Sequence, residues 1–146
     1  NMLTEIQNQA SRYQDILLIF MDINHLRRAN EESGRAAGDE LIITMARCIM
    51  EIFGTQGKCY RIGGDEFCIL MRDCAGDDAR KRLADIQKQF VLREKTNYAR
   101  SFSCGIVGVP RNHDKVDLDT LLHEADEVMY NQKREHKKEY QSELGI

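Results

Sequence analysis

The stretch Arg61-Ile62-Gly63-Gly64-Asp65-Glu66-Phe67-Cys68-Ile69-Leu70 constrains the fold more than any other part of the chain. Two apolar, strand-like runs meet at a Gly-Gly pair, and two carboxylates follow at once. Such a pair predicts a β-hairpin, because glycine accepts positive φ without steric cost. A hairpin alone has no use for two acids beside its turn. A phosphate or metal site does: bare glycine backbone lets a ligand approach, and the acids hold a divalent cation. The plainer reading is a tight turn with solvated acids, and a second acidic signal weighs against it.

That signal is Ile16-Leu17-Leu18-Ile19-Phe20-Met21-Asp22-Ile23-Asn24. Six apolar residues rich in branched side chains predict a strand buried on both faces, far too short to span a bilayer. Asp22 falls at the carboxyl end of this strand, where open α/β sheets place their ligands. Alone it reads equally well as a cap for the next helix. Brought beside Asp65 and Glu66 on a neighbouring strand, it completes a hard, all-oxygen site suited to Mg²⁺ or Mn²⁺.

The rest of the chain alternates helices and strands. A helical turn is predicted to follow the first strand through Asn30, then a longer helix over about 36–53 with Leu41, Met45, Cys48, Ile49 and Ile52 on one face. Gly54 and Gly57 end it. Hairpin strands are expected over about 58–62 and 66–71. A helix over about 77–95 buries Ala79, Leu83, Ile86 and Phe90, and a strand over 101–109 stops at Pro110. Leu118, Leu121, Leu122, Ala125 and Met129 form the apolar stripe of a last helix. This order is an α/β (α+β) fold: a ferredoxin-like, palm-type sheet with a β-α-β-β-α-β core and flanking helices.

The 146 residues suit a single domain, 1–146, with 1–15 as a lead-in, and the start at Asn1 leads us to expect a piece of a longer multidomain chain. A formal charge of −3 argues against nucleic-acid binding, which wants a basic surface. Cys48, Cys59, Cys68, Cys74 and Cys104 show no Cys-x-x-Cys spacing. They predict reduced core thiols and a cytoplasmic setting, not disulfides or zinc ligands. Neither a signal peptide nor a membrane span is visible, so no membrane contact is expected of this domain, although a parent protein could be tethered.

Four motifs now carry a resemblance. Asp22-Ile23-Asn24-His25-Leu26-Arg27-Arg28-Ala29-Asn30, then Gly38-Asp39-Glu40-Leu41, then Gly63-Gly64-Asp65-Glu66-Phe67, resemble the GGDEF family of diguanylate cyclases. Ala125-Asp126-Glu127-Val128-Met129-Tyr130-Asn131-Gln132-Lys133 is similar to that family's Ala-Asp-x-x-x-Tyr-x-x-Lys signature. The match runs from about Ile16 to Lys138, and four motifs in order are far more specific than one.

The resemblance implies a nucleotide-cyclase-like fold and phosphoryl transfer from GTP. It makes Asp22 and Asp65 side-chain metal ligands for Mg²⁺ or Mn²⁺, and Ile23 a ligand through its carbonyl. Glu66 becomes a further ligand or the base. Gly63 and Gly64 border the substrate, and the backbone at Leu26 and Arg27, opening a helix, meets the β- and γ-phosphates. Asn30 and Asp39 read guanine, with Asp39 accepting from N1–H and the amino group. Lys133 and Lys137, one turn apart, face polyphosphate; a basic helix end is the alternative reading.

Departures from the family pattern are also plain. Lys137 stands where Arg is common, Asn24 replaces a frequent Asp, and the product-binding Arg-x-x-Asp falls on Gly54-Thr55-Gln56-Gly57. Leu3-Thr4 and Asn8 resemble the family's N-terminal Leu-Thr…Asn-Arg motif only weakly. Two functions follow. One is a diguanylate cyclase, working as a homodimer with a second GGDEF domain behind an upstream sensory domain. The other is a degenerate GGDEF module that binds GTP or a partner protein.

Overall fold

The apolar run around Ile19 becomes the spine of a sheet. In the computed structural model, which describes residues 16–93, 100–109 and 118–143, strand β1 (Ile16–Ile23) is buried at seven of its eight positions. Helices α1 (Leu26–Ser33) and α2 (Arg35–Phe53) follow, then a short 3₁₀ turn (Gly54–Gln56). Next come β2 (Gly57–Arg61), β3 (Glu66–Arg72), α3 (Gly76–Leu92), β4 (Phe102–Val109) and α4 (Leu118–Glu143). The strands form one sheet in the order β2-β3-β1-β4, with all three pairings antiparallel. This is the expected palm-type core, with its first crossover split into two helices and a helix added after β4.

Alternating side chains give the sheet two apolar faces. Ile19, Met21, Ile23, Phe67, Ile69 and Met71 lie on one, covered by α2 (Leu41, Met45, Ile49) and α3 (Leu83, Ile86, Phe90). Leu18, Phe20, Cys68, Leu70, Val107 and Val109 lie on the other, where α4 supplies Leu121, Ala125 and Met129. The helix sits very close to β4: a Cβ on Gly105 would stand 2.9 Å from the Ala125 carbonyl oxygen. Only glycine fits there.

Several boundaries shift. β1 runs two residues past Met21, so Asp22 and Ile23 belong to the sheet itself. α1 continues past Asn30 to Ser33, and Gly34, at φ +87°, separates it from α2. α3 ends at Leu92, and residues 94–99 lie outside the described residues, as does the 1–15 lead-in with Leu3, Thr4 and Asn8.

Two pieces of sequence reasoning need correction. The rule for ligands at strand ends of open parallel sheets does not apply, because this sheet is antiparallel. The acids meet because the β1–β3 register sets Asp22 opposite Glu66. Nor do the hairpin glycines use positive φ. Among the described residues the left-handed glycines are Gly34 and Gly54. The hairpin closes instead over Ile62–Asp65, with the Ile62 N–H donating to the Glu66 carbonyl at 3.0 Å.

Candidate active site

Asp22, Asp65 and Glu66 converge at one end of the sheet. One carboxylate oxygen from each lies within 4.8 Å of the others. Asp22 is only 1% exposed, while Asp65 and Glu66 are half-buried. The Ile23 N–H donates to the Asp65 carbonyl at 3.0 Å, which pins the turn to the end of β1. Arg61 ties down the same turn, donating from Nε to the Gly63 carbonyl at 3.2 Å and from Nη2 to the Gly64 carbonyl at 2.9 Å.

This donor set fits a hard divalent cation. Three carboxylates gathered so closely repel one another unless a positive charge joins them. Among the described residues no cationic side chain pairs with Asp65 or Glu66. Oxygen-only ligands select Mg²⁺-like ions over thiophilic ones. The thiols contribute nothing comparable. Burial raises Cys48, Cys68, Cys74 and Cys104, Cys68 to about 12, so they stay protonated near neutrality, whereas Cys59 is exposed on β2 and is not the core thiol that the sequence predicts.

The other predicted substrate residues fall on the hairpin turn, on α1 and on α2. Gly64 has no heavy atom within 4 Å of where a Cβ would stand, and at Gly63 the nearest is Glu66 Oε2, 3.5 Å away. Leu26 is buried at the start of α1, where first-turn N–H groups lack acceptors within the helix. The Arg27 side chain turns to solvent and pairs with Glu31 at 3.0 Å. Asn30 lies against Gly38, so closely that a Cβ on Gly38 would fall 1.8 Å from its Oδ1. Asn30 and the exposed Asp39 are thereby brought to one seam between α1 and α2.

Lys133 and Lys137 fall on α4, but their side chains lie outside the described residues. The helix passes Gly105 at Ala125, and Gln132 Oε1 accepts from the Cys104 N–H at 2.8 Å, so α4 advances toward the carboxylates.

A family model described as "Diguanylate cyclase, GGDEF domain" matches residues 1–139. The chain belongs to the GGDEF family. This GGDEF domain is 30% identical over 145 residues to the signaling protein YkoW of Bacillus subtilis, covering 94% of the chain and 18% of that protein. It is 27% identical over 135 residues to the diguanylate cyclase TpbB of Pseudomonas aeruginosa, covering 89% and 31%. The chain thus spans less than a third of the length of these relatives. The crystallised GGDEF domain of TpbB has a TM-score of 0.74 at 26% identity, with 90% of this chain and 89% of that one covered. The GGDEF domain of DgcB from Caulobacter crescentus, in complex with c-di-GMP, has a TM-score of 0.78 and covers 91% and 81%. At 23% identity that second likeness speaks for the fold alone.

Some contacts within this GGDEF domain escaped the sequence reading. Asn24 faces β4: its Nδ2 donates to Ser101 Oγ at 2.9 Å, and Ser103 Oγ donates to its Oδ1 at 3.0 Å. Arg100, ahead of β4, pairs with Glu40 of α2 at 2.8 Å. No helical or strand periodicity links partners so far apart in sequence. The only available signal was an arginine next to a strand that is otherwise apolar. No helix among the described residues is long and apolar enough to cross a membrane.

Proposed function

We propose that this domain is a diguanylate cyclase, which joins two GTP molecules into cyclic di-GMP and releases two pyrophosphates. The observation that carries the reading is the Asp22–Asp65–Glu66 cluster beside an unobstructed Gly63-Gly64 turn. Each domain holds one GTP, so the working unit is a homodimer with the two sites face to face. Each ribose 3′-oxygen attacks the α-phosphorus of the other GTP, and pyrophosphate departs.

Asp22 and Asp65 hold Mg²⁺ or Mn²⁺ through their carboxylates, and Ile23 adds its carbonyl. The bound ion supplies charge neutralisation on the triphosphate and lowers the pKa of the attacking hydroxyl. Glu66 either completes the ligand set or takes the 3′-hydroxyl proton. Gly63 and Gly64 leave room for the triphosphate, and the N–H groups of Leu26 and Arg27 receive its outer phosphates. Lys133 and Lys137 add positive charge there. Asp39 accepts from guanine N1–H and its amino group, and Asn30 pairs with the remaining edge. Cytoplasmic GTP is the substrate pool, and an upstream sensory domain in the parent protein would control pairing of the domains.

A second reading, a module that binds GTP without converting it, draws on Lys137, since a lysine does not reproduce a bidentate guanidinium clamp. One experiment separates the two. The domain, held as a dimer by a fused coiled coil, is incubated with GTP and Mg²⁺ or Mn²⁺ and assayed for cyclic di-GMP and pyrophosphate. Two pyrophosphates per cyclic di-GMP support the cyclase. GTP binding without product supports the module.

A further inference from the structure

Arg100 is 3% exposed and sits just ahead of β4. Its Nη2 donates to both oxygens of Glu40, at 2.9 and 2.8 Å, and its guanidinium lies 5.6 Å from the centre of the Phe90 ring. Thr44 Oγ1 donates to Glu40 Oε1 at 2.9 Å, and Gln87 Nε2 donates to the Arg100 carbonyl at 2.9 Å. One buried guanidinium therefore gathers α2, α3 and the start of β4.

As a way of holding elements together this is inefficient. Taking the Arg100 guanidinium wholly out of water, and the Glu40 carboxylate partly, is costly, and an apolar pair of similar volume often does as well or better. Here the cost is aggravated, because Nε and Nη1 of Arg100 have no acceptor among the described residues. What a charged pair adds is direction. Successive helix residues point about 100° apart. Gly38 faces Asn30 on α1, and Glu40 is drawn to Arg100. Asp39 lies between them on the exposed side. Two contacts, one on each flank, thus fix the roll of α2 about its axis and the direction in which the Asp39 carboxylate points.

The same segment reaches the metal-binding end of β1. The Asn24 N–H donates to the Ser101 carbonyl at 2.9 Å, and the Asn24 side chain engages both Ser101 and Ser103. Residues 100–103 therefore join the turn that carries Asp39 to the strand that carries Asp22.

We propose that Arg100 is a positioning residue for nucleotide choice: by holding Glu40 it sets the roll of α2 that presents Asp39 to guanine. The inference rests on the base-reading role of Asp39 in the proposed cyclase. Because the pair gives direction more than adhesion, its replacement affects selection and stability differently.

The test compares wild type, Asp39→Ala, Arg100→Met and the double variant Arg100→Met/Glu40→Gln. Each is measured for melting temperature and for calorimetric affinity toward the α,β-methylene analogues of GTP and ATP, which cannot lose pyrophosphate. The single Arg100→Met variant strands the Glu40 charge and should melt lower. The double variant removes both charges and should melt near wild type, yet lose about tenfold of the guanine-over-adenine preference. If Asp39→Ala abolishes that preference while the double variant keeps it in full, the positioning role is wrong and the base-reading role stands. If Asp39→Ala leaves the preference intact, both fall.

Discussion

The turns at the two ends of β2 are built in opposite ways. The upstream turn, Gly54–Gln56, is tied down by the end of β3: Arg72 Nη2 donates to the Thr55 carbonyl at 2.6 Å, and Gln56 Nε2 donates to the carbonyls of Arg72 and Asp73. The downstream turn, Ile62–Asp65, carries its acid toward Asp22 and leaves Gly64 open. Glycine serves both turns, for different reasons. A Cβ on Gly57 would fall 2.6 Å from Met71 Sδ, so that glycine makes room for the core. Gly64 makes room for something from outside. A turn strapped to the next strand with no charge left facing solvent is structural, and one that gathers charge beside empty space is suited to binding.

The sharpest way to break this comparison is to remove charge from the open turn. Asp65→Ala should reduce cyclic di-GMP formation about a thousandfold or more, since a metal ligand contributes several kcal/mol to the transition state. Melting temperature should barely change, because a turn carboxylate contributes little packing. Full activity in an otherwise folded variant would remove Asp65 from the metal site.

The closed turn yields the next largest effect. Family members grip product there with an arginine and an aspartate, and Gly54-Thr55-Gln56-Gly57 offers neither. Losing two charge-assisted contacts of about 1.5–3 kcal/mol each should weaken product by two orders of magnitude or more. Calorimetric titration with cyclic di-GMP should therefore find no tight site at this turn. Micromolar affinity that vanishes on mutating Thr55 and Gln56 would refute the expectation.

Adding one methyl group just after the closed turn and one within the open turn sharpens the contrast. Gly57→Ala must displace Met71, and chemical denaturation should show a loss of about 1–3 kcal/mol. Gly64→Ala, the smallest effect on stability, should stay within about 0.5 kcal/mol of wild type while raising the KM for GTP several-fold. Equal stability losses at the two glycines would erase the distinction between the turns.

How much of this was legible in the sequence depended on how local the signal was. The branched run before Asp22 and the acids after Gly63-Gly64 are short-range patterns, and they located β1, the hairpin and the cluster. The helix faces of α2 and α3 were equally readable, because burial of Met45, Ile49, Ile86 and Phe90 follows helical spacing. The backbone state of Gly63 and Gly64 was not readable, since glycine tolerates positive φ without requiring it. Asn24 stood out only as a replacement for a frequent Asp, whereas its amide engages Ser101, just ahead of β4, and Ser103 within it. Arg100 and Glu40 are set together by tertiary packing, which no window on the sequence contains.

The bond from the Ile23 N–H to the Asp65 carbonyl makes one proton a gauge of the whole site. Asp22 rides on a strand paired on both sides, whereas Asp65 rides on a turn. When the turn lifts away, the Ile23 amide is released while the central amides of β1 remain protected. Deuterium should therefore enter at Ile23 through local opening, and at Ile19 only when the sheet itself comes apart. The ratio of those two exchange rates expresses how often the carboxylates separate in the resting domain, before any nucleotide has arrived to hold them together.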